Sequence, residues 1–132
     1  MGTLIDTSAI IAAERGGALP VVELDEEVGI SSITASELLL GTHKGSPQER
    51  ARSTAYVEEV LERLPVLPFG LVEARVHAAV TASMQAMGLT TATVDMQIAA
   101  TALARNWSLA TLNRRDFERV PGLRVVGLDR GI

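Results

Sequence analysis

Residues 94–117 run Val94-Asp95-Met96-Gln97-Ile98-Ala99-Ala100-Thr101-Ala102-Leu103-Ala104-Arg105, then Asn106-Trp107, then Ser108-Leu109-Ala110-Thr111, then Leu112-Asn113-Arg114-Arg115-Asp116-Phe117. The opening twelve are Ala-rich, apolar and free of Gly and Pro, which predicts a helix over Val94–Arg105. Ser108–Thr111 is a short apolar run and reads as a strand. Asp116 follows the strand and opens at most one turn, to Val120. The unit is helix, strand, acid, and much the same grammar runs through the rest of the chain. Thr3-Leu4-Ile5 is a strand that ends at Asp6. Ser8–Arg15 is a helix stopped by Gly16-Gly17. Pro20 to about Glu26 predicts a short helix with Pro in its first turn. Val28–Ser31 is a strand, and Thr34–His43 a helix weakened near its end by Gly41. Gly45-Ser46-Pro47 opens a long amphipathic helix to about Arg63, with Glu58, Glu59 and Glu62 on its wet face. Val66-Leu67, bracketed by Pro65 and Pro68, is a short strand. Val72–Met87 is a helix that ends at Gly88, and Leu123–Val126 is the last strand. Strands separated by helices pair in parallel and carry helices on both faces. The expected fold class is α/β, an open, mainly parallel sheet of four to five strands, as one domain over residues 1–132.

Composition narrows the chemistry. The chain has 132 residues, 47% of them apolar and 21% charged, which excludes a disordered polymer and is enough for a core without staples. It has no cysteine, so disulfides, Cys-bearing zinc sites, iron–sulfur clusters and thiol nucleophiles are all excluded. The two histidines, His43 and His77, are too few for a His-rich metal site; both are expected on helices, as surface or packing residues. No run approaches the roughly 20 apolar residues of a membrane span. The opening Met1–Asp6 has no positive segment and is not read as a secretory signal, so the expected location is the cytoplasm. With only Tyr56, Phe69, Trp107 and Phe117 as aromatics, a stacking platform for single-stranded nucleic acid is disfavoured. Net charge is −4, yet residues 101–132 hold six arginines against three acids. That end of the chain suits a polyanion.

Four acids fall where an open parallel sheet binds its ligands, beyond the carboxyl ends of the strands. Asp6 follows the first strand. Glu37 is expected in the first turn of the helix after the second. Asp95 starts the Ala-rich helix, and Asp116 follows the strand Ser108–Thr111. Each also suits a helix end. Asp6 or Thr7 can cap the first helix. Thr34-Ala35-Ser36-Glu37 matches a capping box. Asp95 complements a helix dipole, and the Asn113–Asp116 stretch can cap a short turn.

The strings around these acids make the chain resemble a PIN-domain ribonuclease of the VapC toxin type. They are Leu4-Ile5-Asp6-Thr7-Ser8; Ser31-Ser32-Ile33-Thr34-Ala35-Ser36-Glu37-Leu38 with Gly41; Asp95-Met96-Gln97-Ile98-Ala99-Ala100-Thr101-Ala102; and Leu109-Ala110-Thr111-Leu112-Asn113 with Asp116-Phe117. Before the third acid the family often has Gly-x-x-Ile-Gly; Gly88-Leu89-Thr90-Thr91-Ala92 keeps only the first glycine. The resemblance implies a metal-dependent endoribonuclease that hydrolyses RNA phosphodiester bonds through Asp6, Glu37, Asp95 and Asp116. It implies Mg²⁺ or Mn²⁺ as cofactor, with Asp6 and Asp95 touching the ion most directly and Glu37 and Asp116 orienting water or filling a second metal site. Thr7, Thr111 and Asn113 would support them, and Arg114 and Arg115 are the candidates for phosphate contacts. An oxygen-only donor set agrees with a hard cation rather than zinc.

The resemblance also implies a small cognate antitoxin as partner, with a homodimer as the assembly. Ile10, Ile11 and the run Leu38-Leu39-Leu40 offer apolar material for a partner segment, and the same residues suit an ordinary core. Two other readings stand beside it. One is a non-catalytic PIN-like module that only binds RNA. The other is a receiver-like phosphoacceptor domain, which wants a second acid beside Asp6, where Thr7-Ser8 stand, and a late lysine, whereas the only lysine is Lys44.

Overall fold

The computed structural model describes residues 2–16 and 27–127. In chain order the elements are β1 Gly2–Ile5, α1 Thr7–Gly16, β2 Glu27–Ser31, α2 Ser32–Gly41, α3 Pro47–Arg63, β3 Val66–Leu67, α4 Leu71–Ala86, α5 Thr93–Ala104, β4 Ser108–Thr111, α6 Arg114–Glu118 and β5 Val125–Gly127. The helix expected over Pro20–Glu26 lies outside the described residues. The five strands form one sheet in the order β3-β2-β1-β4-β5, and every neighbouring pair is parallel.

Most boundaries fall within a residue of the sequence expectation, and the larger differences are of two residues; the turn expected at Asp116–Val120 is α6, Arg114–Glu118. The helix expected from Thr34 begins at Ser32, because Ser31, the last residue of β2, caps it: its hydroxyl accepts the Thr34 N–H at 2.9 Å. Glu37 therefore stands in the second turn and not in a capping box. The same helix ends at Gly41, so His43 lies in the turn that follows. The last strand starts at Val125 instead of Leu123, because Gly122 takes a φ of +80°. The resulting turn holds Leu123 by a bond from its N–H to the Val120 carbonyl.

Strand residues alternate between two cores, as the period of two requires. Leu4 and Leu109 are paired in register and face α4, α5 and α6, where Met84, Met96, Ile98, Ala99, Ala102, Phe117 and Val120 pack. Ile5 and Ile30 face the other way, against Ala9 and Ile10 of α1, Ala35 and Leu38 of α2, and Val57 and Val60 of α3. Burial on both sides explains why β1 reads as an unbroken apolar run. Trp107, partly buried, closes the near end of the first core: a Cβ on Gly2 would overlap its indole ring.

On the other face Tyr56 ties α3 to α1, its hydroxyl donating to the Ile10 carbonyl at 2.6 Å. Burial, then the charges of Glu14 and Glu59, push its pKa up to about 12. The folded state thus holds this proton more tightly than the unfolded chain. The resulting stability is complete below pH 10 and is lost as pH rises towards 12. Tyr56→Phe should cost about 1 kcal/mol at neutral pH and flatten that alkaline decline. Thermal melts of both proteins across the range check it.

Candidate active site

The chain winds outward from β1 in both directions, to β2 and β3 on one side and to β4 and β5 on the other. The β1–β4 junction is the switch point, where the crevice of such a sheet opens. Asp6 stands at its mouth. The register sets Ile5 against Ala110, and the Asp6 N–H reaches the Ala110 carbonyl at 3.0 Å, so the next residue on each strand, Asp6 and Thr111, face one another. The Thr111 hydroxyl donates to Asp6 Oδ2 at 2.6 Å and accepts the Asn113 N–H at 2.8 Å. Asp6 Oδ1 accepts the Ala9 N–H at 3.1 Å and the Ser8 hydroxyl at 2.8 Å. Asp6 is only 3% exposed, and its carboxylate is locked in orientation by bonds from Thr111 of β4 and from Ser8 and Ala9 of α1. It does cap α1, but capping uses one oxygen and leaves the direction of the other to Thr111.

The shifted start of α2 turns Glu37 towards this point. The Thr7 hydroxyl donates to Glu37 Oε1 at 2.5 Å and lies 3.1 Å from the Thr34 hydroxyl. Thr34 is itself fully buried and 3.3 Å from the Ser31 hydroxyl. Ser8, Ser31 and Thr34 thus belong to the support of the acids, beyond Thr7 and Thr111. The signal for them was the density of hydroxyls just past the ends of β1 and β2. Asn113 contributes its backbone N–H and makes no side-chain capping bond.

Asp95 in the first turn of α5 and Asp116 in the first turn of α6 line a cavity of about 160 Å³ together with Thr90, Thr91, Met96 and Arg119. The pKa of Asp95 is raised by burial first, and then by the negative charges of Asp116, Asp6 and Glu37. All four predicted acids therefore share one electrostatic neighbourhood, although Asp6 follows β1, Glu37 lies in the second turn of α2, Asp95 opens α5 after the α4–α5 connection rather than after a strand, and Asp116 lies in α6. Every donor in the set is a carboxylate oxygen, which fits a hard divalent cation. Among the described residues no group of three or more His, Asp or Glu side chains is arranged to hold an ion by itself.

The arginines divide. Arg114 pairs with Glu118 at 2.7 Å on the surface and packs against Gly127. Arg115 is exposed. Arg119, which the sequence reading passed over, lines the acidic cavity. It lies one helical turn beyond Arg115, a spacing that becomes informative only once α6 is seen to begin at Arg114.

The sheet is doubly wound and parallel, with acids at its carboxyl edge, and the PIN-domain family profile matches residues 3–123. The chain belongs to the PIN-domain family. It is 38% identical to ribonuclease VapC1 of Rickettsia felis over 129 residues, 96% of each chain. It is 37% identical to the tRNA(fMet)-specific endonuclease VapC of Salmonella typhimurium over 97 residues, 73% of this chain and 71% of that one. Among solved structures, DNA-bound VapBC from Salmonella typhimurium matches with a TM-score of 0.87 at 28% identity, covering 96% of this chain and 98% of that one.

Proposed function

We infer that the chain is the endoribonuclease toxin of a toxin–antitoxin pair and that Asp6, Glu37, Asp95 and Asp116 are its catalytic acids. The observation that carries the assignment is convergence: Asp95 and Asp116 line one cavity, and the charges of Asp116, Asp6 and Glu37 all bear on Asp95. Helix capping alone requires no such convergence. Four negative groups at one edge repel one another and would repel RNA. A bound Mg²⁺ or Mn²⁺ would remove that conflict, offset charge on the scissile phosphate and ease deprotonation of water near neutral pH. Asp6 and Asp95 would hold the ion. Asp6 is aimed by Thr111, and Glu37 is aimed by Thr7 so as to orient the attacking water. Asp116 completes the acidic wall beside Arg119, which with Arg115 is placed to hold the RNA phosphate backbone. The cytoplasm, where RNA is abundant, is the proposed location; no helix among the described residues is long and apolar enough to cross a membrane.

The proposed partners are RNA, a cognate antitoxin and a second copy of the chain. Of the apolar residues named for a partner, Ile10 and Leu38 are core, whereas Ile11, Leu39 and Leu40 stay 39–60% exposed on α1 and α2. An antitoxin segment would cover these three. Sedimentation of the lone chain checks the homodimer.

The central test is cleavage of total RNA, transfer RNA included, with and without EDTA, beside Asp95→Asn. EDTA and the substitution should each abolish cleavage. Because burial, and then like charges, oppose the charged form of Asp95, the same substitution should not lower the metal-free thermal midpoint. Cleavage that persists in both arms would overturn the catalytic assignment.

A further inference from the structure

Next to the acidic cavity, and sharing Thr90, Thr91 and Met96 with it, is a second cavity of about 210 Å³. One wall is a single face of α4, formed by His77, Thr81 and Gln85 at four-residue spacing. The opposite wall is the connection to α5, where Gly88 turns the chain with a φ of +75° and Leu89 follows. Its chemistry differs from that of its neighbour: no carboxylate, arginine or lysine lines it. Two polar atoms here, His77 Nε2 and Thr81 Oγ1, are buried and have no hydrogen-bond partner in the protein. The His77 ring is set by an edge-to-face contact with Phe69, centroids 6.0 Å apart. Buried polar groups without partners are rare in folded proteins and call for an explanation.

We propose that this cavity is a nucleobase subsite, which receives one base of the RNA strand beside the phosphate held at the acidic cluster. The proposal rests on the ribonuclease reading above. A phosphate would want cations, and a metal ion would want carboxylates; the lining has neither. Uncharged donors and acceptors over apolar Leu89 and Met96 suit a planar heterocycle with a polar edge. At roughly 30 Å³ per water, the space corresponds to about seven waters, ample for one base. Splayed single-stranded bases are what proteins read in RNA, and a strand crossing the acidic edge can place one here without leaving the groove. The polar atoms of His77 and Thr81 are covered in this structure; rotation of the two side chains would turn them to the base edge, and the base would supply the partners they lack.

The experiment compares the wild-type chain with Thr81→Val and His77→Phe on a random-sequence oligoribonucleotide pool, sequencing the cut ends. The base preference at one position flanking the cut should fall about tenfold in each variant, the loss expected for one base-edge contact. Thr81→Val should melt no lower than the wild type, because its hydroxyl has no partner to lose; a structural hydroxyl would give the opposite. Unchanged preference in both variants overturns the proposal. So does a change of oligomeric state with preference intact, which would assign the two atoms to contact with a second copy. If the wild type cuts no RNA, the ribonuclease reading itself has failed. The subsite is then judged on titration of the four nucleoside 5′-monophosphates followed by NMR: shifts at His77 and Thr81 with one of the four sustain it, and none with any of them overturns it.

Discussion

Asp6→Asn should reduce metal-stimulated RNA cleavage by about 10³-fold or more while shifting the thermal midpoint by less than about 5 °C. The two halves of this expectation have separate physical causes. The amide keeps the shape of the carboxylate. Asn caps helices as well as Asp, so its oxygen still accepts the Ala9 N–H and the Ser8 hydroxyl. Its nitrogen meets Thr111 Oγ1, which can accept instead of donate. The hydroxyl proton that Asp6 now takes at 2.6 Å is then left without its partner, at a cost of about 1 kcal/mol. What the amide cannot do is carry the charge that would attract a divalent ion. Asp6→Ala is the contrasting variant. It abandons three donors in a site 3% exposed and should lose about 3 kcal/mol or more. RNA cleavage assays and melts of both variants decide the matter. If Asp6→Asn cleaves as the wild type does, Asp6 serves α1 and the sheet alone.

Much of this arrangement is written locally. α5 and β4 show within the sequence because an Ala-rich apolar stretch and a four-residue apolar run carry their own signals, and both are found within a residue of where they are expected. The four acids were legible as candidates because each directly follows a strand or opens the next helix. What joins them was not legible. The Thr111–Asp6 bond spans 105 residues and depends on β1 lying between β2 and β4, an order that alternation of strand and helix does not specify. Glu37 was assigned to the wrong turn because Ser31-x-x-Thr34 and Thr34-x-x-Glu37 are both capping patterns. The first prevails because β2 runs into α2 without a loop, placing the Ser31 hydroxyl on the Thr34 N–H. Among the apolar residues offered to a partner, neighbours in sequence parted company: Ile10 is buried and Ile11 is 42% exposed, since adjacent residues on a helix point about 100° apart.

Phe117→Ala should destabilise the protein by about 3–5 kcal/mol, a large share of the roughly 5–15 kcal/mol that hold a domain of this size together. The ring is 1% exposed and sits in the core with Leu4, Met96, Leu109 and Val120, where close packing leaves little room for collapse around the void. The consequence for the site is larger than the volume lost. α6 has five residues, too few to persist on its own hydrogen bonds, and its surface pair Arg114–Glu118 adds only about 0.3–0.5 kcal/mol. Phe117 is therefore the main anchor that keeps Asp116, the residue before it, against the cavity it shares with Asp95. Phe117→Leu separates anchoring from folding. It should cost about 1–2 kcal/mol, leaving the chain folded at 25 °C, yet lower the cleavage rate because Asp116 is less firmly held. Urea denaturation measures the first effect, and cleavage assayed well below the melting temperature measures the second. A leucine variant that is folded and fully active would show that Asp116 keeps its place, or is not needed, without the aromatic anchor. An alanine variant as stable as the wild type would show that the ring does not hold α6 at all.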